Sequence, residues 1–410
     1  MAVRKDSMVV DDRGVPVERR RIGTVVVMGA FWATMAGTTV PTPLYPRYEH
    51  DFGFGALAVT VIFGVYALAV VAGLLTLGGL SDRLGRRPIV AVALILAILA
   101  SAVFLLAGNL AELLIGRVLS GLAAALMTGA ATAQLAELAA PGGHTRAGRL
   151  ALGANMGGLA SGPLLAGVLG EYAPWPLRLS WWVIGVLLLI ALTALVIVPE
   201  TRKAPGDTAN RAPATRRPSV PAEIRGPFWR AALLAGSGFA VLGVLTAVTG
   251  LFLAQVAHIH SLLATCSIVT VAFVAIGSGQ LLAGRVERVA SLVSGAGLLV
   301  GAALIATAMA TAAYSPLLCA AMVTGLATGI AIGHGITLIN TRTPAATRGG
   351  TVSAFFAVLY ILLALPAIGV GSLVGTLGLR TAGSVFAAAV AVLVIAVVAG
   401  SRTGRPETRG

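Results

Sequence analysis

The feature that most constrains this chain is a series of twelve apolar runs, each about 20 residues or longer, the helix length that crosses a bilayer. They fall at roughly 22–44, 56–80, 88–107, 111–138, 150–170, 179–198, 229–257, 262–283, 290–312, 315–340, 350–375 and 380–400. A polar stretch carrying Pro205, Pro213, Pro218 and Pro221 divides them six and six. Only 11% of the 410 residues are charged, where a soluble domain carries about 25%. The expected fold is an all-α integral membrane protein of twelve transmembrane helices in two six-helix bundles, residues 22–198 and 229–400. A basic tail (1–21), a linker (199–228) and a short tail (401–410) complete it. The 51 glycines suit helices that approach closely in lipid.

The basic residues orient the chain. With the N-terminus placed in the cytoplasm, only Arg47, Arg178 and Arg380 of the 29 Lys and Arg fall on the far side, and Arg117 lies inside a span. The net charge of +14 is thereby assigned to the anionic inner leaflet, and no nucleic acid is expected as a partner. Both termini are expected in the cytoplasm. Cys266 and Cys319 lie in apolar runs and read as small buried hydrophobes. The first 21 residues have no apolar core, so no cleavable signal is expected there. Lysine occurs only at Lys5 and Lys203 among many arginines, alanines and glycines. This usage reads as a GC-rich bacterial coding sequence, hence a plasma (inner) membrane.

The two halves echo each other. GLAAALMTG (Gly121–Gly129) in the fourth run aligns with GLATGIAIG (Gly325–Gly333) in the tenth. Pro163 in the fifth pairs with Pro366 in the eleventh, and GQLLAGRVER (Gly279–Arg288) is a degraded copy of a motif in the first half. Such a repeat predicts two pseudo-symmetric bundles with a site between them near the midplane.

That motif is GGLSDRLGRRP, Gly78–Pro88, between the second and third runs. An acid and three arginines so close together must occupy a short aqueous hairpin, with Gly78 and Gly85 permitting the turn. Gly78, Asp82, Arg83, Gly85, Arg86 and Arg87 resemble the loop joining helices 2 and 3 in transporters of the major facilitator superfamily. The resemblance implies the major facilitator fold and a gating hairpin, with Asp82 as a latch that pairs with a basic residue or a helix N-terminus.

LIGRVLSGLAAA, around Arg117, resembles the fourth-helix motif of the same superfamily, with Ser120 where Gln is frequent. The resemblance associates that arginine with proton transfer. Arginine keeps its charge at any pH, so its expected role is to bias a neighbouring carboxylate. The competing reading is an arginine snorkelling to the interface. In the fifth run Gly158, Gly162, Pro163 and Gly167 resemble the antiporter motif, with Ala166 replacing a second glycine. That resemblance implies exchange against protons; physically the stripe is also a plain packing face.

No carboxylate lies at the centre of any run. Glu112 and His334 are the candidates for coupling, His334 because imidazole titrates near neutrality. A lone histidine also serves as an ordinary packing residue. Glu137 falls at the inner end of the fourth run, and Glu49, Asp51 and Glu171 fall in outer loops. The cavity candidates are Trp32, Met35, Met127, Gln134, Asn155 and Phe239, a set suited to apolar or amphipathic solutes. The resemblance as a whole points to a drug:proton antiporter: a monomeric carrier in a lipid bilayer, not an enzyme. It would export small hydrophobic compounds on the proton gradient, without a cofactor or metal. A facilitator for a sugar or amino acid, or a non-transporting receptor or scaffold, is the alternative.

Overall fold

The computed structural model describes residues 17–139, 142–201 and 220–402. Most of the expected N-terminal tail, the middle of the linker and most of the C-terminal tail lie outside the described residues. Helices α1 (Val17–Thr39) and α2 (Pro41–Phe52) form the first span and α3 (Ala56–Thr76) the second. A short turn, α4 (Leu80–Leu84), leads to α5 (Arg86–Leu106), α6 (Leu110–Leu138), α7 (His144–Tyr172) and α8 (Leu179–Ala194). The second half comprises α9 (Arg225–Gln255), α10 (Leu262–Leu282), α11 (Ala290–Thr311), α12 (Tyr314–Arg342), α13 (Ala345–Leu377) and α14 (Leu379–Arg402). Twelve helical stretches among the described residues are long and apolar enough to cross a membrane, as the runs predict. The ends of the described helices, Val17 and Arg402, therefore lie on one face, called here the termini face.

The first span departs from its expected limit. Its apolar run ends near position 44, yet helix continues to Phe52. Pro41 opens α2, where a missing N–H costs nothing because first-turn amides have no helical partner. Glu49 and Asp51, expected in a loop, lie on this helix instead. Tyr45 and Tyr48 are carried into the core, 2% and 1% exposed.

The helices divide by depth. The most apolar window of the seventh span, which contains α9, is 94% buried inside the protein, whereas those of the sixth and twelfth spans, α8 and α14, are 33% buried. In lipid an apolar side chain gains little by leaving the membrane for the protein. Close backbone approach at small residues therefore holds the helices together. The repeated motif shows this twice. A Cβ on Gly121 would stand 2.6 Å from the Tyr66 carbonyl and 2.7 Å from the Ala69 Cβ of α3. A Cβ on Gly325 would stand 2.6 Å from the Ala272 carbonyl and 2.7 Å from the Ala275 Cβ of α10. The fourth span packs on the second as the tenth packs on the eighth, which is the pseudo-symmetry of two six-helix bundles.

The bundles meet along two seams, α3 against α13 and α7 against α10. Both are tight in the half of the molecule away from the termini. There a Cβ on Gly64 would press on the Ile368 side chain at 2.6 Å, and one on Gly170 on Leu262 at 2.9 Å. Gly371 faces Thr60, and Gly250 faces Pro46 of α2. The Glu171 carboxylate accepts from the Leu263 amide at 2.9 Å and from the Ser261 hydroxyl at 3.0 Å across the same boundary.

Candidate functional site: a central cavity beside a caged arginine

Between the two bundles lies a cavity of about 120 Å³. Its wall is drawn from α1, α2, α3, α6 and α7 of one half and α9, α10, α12 and α13 of the other. The wall residues farthest from the termini, among them Thr42, Phe63 and Thr246, are buried. Those nearest the termini face, including Leu74, Leu152 and Gln280, are half-buried. The opening therefore points to the termini face while the opposite face is shut.

The wall is apolar and aromatic with a few hydroxyls and amides. Phe239 stands edge-on to Tyr360, ring centroids 5.7 Å apart. Asn155 of α7 and Gln280 of α10 supply the two side-chain amides, and the Asn155 Oδ1 is buried with no hydrogen-bond partner. Among the described residues no Asp, Glu, Lys, Arg or His lines the cavity.

Of the six cavity candidates, the structure places Asn155 and Phe239 on this wall. Trp32, Met35, Met127 and Gln134 are not on it, and the reasons are geometric. α7 covers that face of α1: a Cβ on Gly158 would stand 2.4 Å from the Trp32 carbonyl and 2.7 Å from the Met35 Cβ. On α6 the cavity face carries Ala125 and Thr128. At about 100° per residue, Met127 and Gln134 turn away from it and are fully buried among the helices of their own half.

Arg117 sits one layer behind the wall and is 1% exposed, which excludes snorkelling. It is held at a break in the first span. Pro41 and Pro43 occupy the positions that would donate to the Gly37 and Thr39 carbonyls. Into this break Arg117 Nη1 donates to the Thr38 carbonyl at 2.6 Å, and Nη2 donates to the Tyr45 hydroxyl beyond it. The guanidinium carbon lies 5.3 Å from the ring centroids of both Tyr45 and Tyr66, and 6.0 Å from that of Phe104. Phe104 stacks on Trp181 at 4.3 Å, and Trp181 Nε1 donates to the Tyr48 hydroxyl at 3.0 Å. Among the described residues no carboxylate pairs with Arg117. The expected neighbouring acid is replaced by phenols and a carbonyl, and Nε is buried without a partner.

The two coupling candidates stand apart from this cage. Glu112 closes the start of α6: its Oε2 accepts from the amide of Gly108, just before the N-cap Asn109, at 2.6 Å, while its own amide donates to Asn109 Oδ1 at 3.1 Å. His334 is half-buried on α12 with Nδ1 lacking a partner, and it is not on the cavity wall.

The hairpin after α3 is a charge network on the termini face. Arg86 is its hub: Nη2 meets Asp82 at 2.8 Å, Nε donates to Glu137 at 3.0 Å and Nη1 to Ser81 at 2.8 Å. The Glu200 carboxylate caps α5 by accepting from the amides of Arg86 and Arg87, each at 3.0 Å. Arg83 is exposed and Gly78 packs near Ser353 of α13, in the other half. Gly85 adopts φ +97°, and a Cβ there would stand 2.9 Å from Glu200. Gly85→Ala should therefore lower thermal stability by about 1–3 kcal/mol, read as a shifted unfolding midpoint, with Gly148→Ala, which meets nothing within 4 Å, as the control.

The fifth-span stripe faces two partners. Gly158 and Gly162 pack on α1 within their own half, whereas Gly167 packs on Cys266 of α10 in the other. Pro163 lies between them, and nearby the Thr270 hydroxyl of α10 donates to the Ala160 carbonyl at 2.9 Å. Sequence reasoning missed Tyr66, Tyr360 and the threonine cluster Thr38, Thr39 and Thr42. A usable signal was present in each: hydroxyls in the middle of apolar runs, and a proline cluster (Pro41, Pro43, Pro46) at the end of the first.

Known proteins share this fold. The sequence profile of the Major Facilitator Superfamily matches residues 27–367. Over 191 residues the chain is 28% identical to an uncharacterized MFS-type transporter of Bacillus subtilis, YybF, covering 46% of each. It is 33% identical over 190 residues to the puromycin resistance protein pur8 of Streptomyces alboniger, covering 46% of this chain and 37% of that one. The matched part thus spans less than half the length of these curated relatives. Among solved structures, a bacterial homolog of the human lysosomal transporter Spinster, inward-facing and unoccupied, superposes with TM-score 0.77 at 16% identity, over 95% of this chain and 99% of that one. The nucleoside transporter NupG superposes with TM-score 0.72 at 14% identity, over 92% and 99%. With twelve spans in two like bundles, a shared central cavity and a profile match over most of its length, the chain belongs to the Major Facilitator Superfamily, a family of membrane transporters and not of enzymes.

Proposed function

We propose that the protein is a secondary active carrier that exports small, largely apolar compounds by alternating access, in exchange for protons. One observation carries this reading: a cavity with aromatic and amide walls, built by both bundles, shut on one face and open on the other. Rocking the bundles about the two seams would expose the same wall to the opposite side. The arginine distribution supports a cytoplasmic termini face in a bacterial plasma membrane, so the cavity described here would be open to the cytoplasm. The molecule acts as a monomer in this reading. The likeness to the puromycin resistance protein supports export of drugs or secondary metabolites.

Asp82 is the proposed latch of the hairpin. In Asp82→Asn, Arg86 keeps Glu137 and Ser81, so insertion and abundance should be unchanged while transport is abolished. Normal transport by that variant would refute the latch.

A second reading, an uncoupled facilitator, is favoured by the uncharged cavity wall: among the described residues no carboxylate stands where a proton could exchange directly with substrate. One assay separates the two. An efflux-deficient strain expressing the protein should tolerate more of an apolar antibiotic than the same strain without it. In proteoliposomes an imposed pH gradient should drive solute uphill. Downhill movement indifferent to that gradient would establish the facilitator instead.

A further inference from the structure

We infer that the cavity takes an uncharged or anionic aromatic solute and rejects cations, and that the buried charge of Arg117 sets this preference. The inference rests on the reading of the cavity as the transport site.

Two independent observations converge. Among the described residues the cavity wall carries six aromatic rings, two of them phenols, and two amides, but no carboxylate, amine, guanidinium or imidazole. A cation seated there would give up its hydration for dipoles and ring faces alone, with no carboxylate to replace the water. Immediately behind the wall lies a full positive charge. Arg117 is tied to the wall residue Thr38 through its carbonyl, and its guanidinium carbon is 5.3 Å from the ring of the wall residue Tyr66.

Nothing in the cage cancels that charge. Its hydrogen-bond acceptors are a carbonyl and a phenol, and its remaining neighbours are aromatic rings. The carbonyl end of α1 would contribute a negative dipole, but α2 begins two residues later with its positive end, and the two offset each other. The cavity therefore sits in an uncompensated positive field. For a solute charge about 8 Å from the guanidinium, at an effective dielectric constant of about 20, the interaction alters binding roughly thirtyfold in either direction. Asn155 adds direction: its buried, unpartnered Oδ1 accepts an N–H or O–H from the solute.

The test is a charge series on one skeleton. Equilibrium binding of 2-naphthamide, 2-naphthoate and 2-naphthylmethylammonium is measured on the purified full chain in detergent. The amide and the carboxylate should each bind at least tenfold more tightly than the ammonium. In Arg117→Gln that order should collapse to within about threefold, and Arg117→Lys should preserve it. Asn155→Asp leaves the arginine cage intact and places an acid on the wall; it should strengthen ammonium binding at least tenfold. The inference is overturned if the wild-type protein binds the ammonium as tightly as the amide, if none of the three binds at millimolar concentration, or if Asn155→Asp leaves ammonium binding unchanged. Should the Arg117 variants fail to accumulate, the wild-type series and Asn155→Asp still decide. A protein that binds in the stated order but moves nothing across a membrane defeats only the carrier reading. One that exports solutes yet binds the ammonium best defeats only this inference.

Discussion

Arg117→Ala is expected to cost about 2–4 kcal/mol of stability and to reduce transport at least tenfold. Three effects add. The Thr38 carbonyl loses its donor at a point where neighbouring carbonyls already face prolines, and an unpaired buried acceptor is expensive away from water. The Tyr45 hydroxyl loses its partner on the other side of the same break. The space left among Tyr45, Tyr66 and Phe104 is a void in a region where every ring is buried. Because the two bonds straddle the α1–α2 junction, the loss should concentrate there. Hydrogen exchange of α2 amides should quicken while those of α11 stay as they were. Arg117→Lys should recover part of both effects, since an ammonium reaches the carbonyl but cannot fork to the phenol. Wild-type stability in the alanine variant would show that the cage does not hold the first span.

The second large effect is expected at the fifth-span glycines, and it distinguishes backbone from side-chain obstruction. A Cβ on Gly162 would stand 2.2 Å from both the Ala36 carbonyl oxygen and Thr39 Oγ1. Backbone cannot step aside, so Gly162→Ala should push α7 off α1 and cost about 3 kcal/mol or more, with no single partner change that restores it. A Cβ on Gly167 would instead stand 1.9 Å from Cys266 Sγ, with the Cys266 Cβ at 3.3 Å. Gly167→Ala should hold the bundles apart on the face away from the termini and slow transport about tenfold. Cys266→Ala removes the obstructing sulfur and should restore most of the rate. The coupling energy between the two sites should be about 1–2 kcal/mol. A double variant as slow as Gly167→Ala alone would show that this seam is not the moving contact.

Much of the molecule is legible in one dimension. Twelve spans follow from run length, because a backbone in lipid must satisfy its hydrogen bonds within each helix and needs a fixed number of apolar residues to do so. The division of the spans six and six and the pairing of Gly121 with Gly325 follow from the polar linker and from spacing. The hairpin was readable because charged side chains have one place to go in such a chain.

What lines the cavity was not readable in the same way. Trp32 and Met35 look as available as Asn155 along the sequence, and only the arrival of Gly158 against α1 buries Met35 and closes off the backbone at Trp32. Arg117 announces itself as a costly buried charge, but its partners lie 72 and 79 positions away, on two sides of a proline break. Run length acts on each helix separately, so the sequence alone determines the spans. Which face of a helix meets the cavity depends on the rotation its neighbours impose through close contacts, and only the tertiary structure decides that.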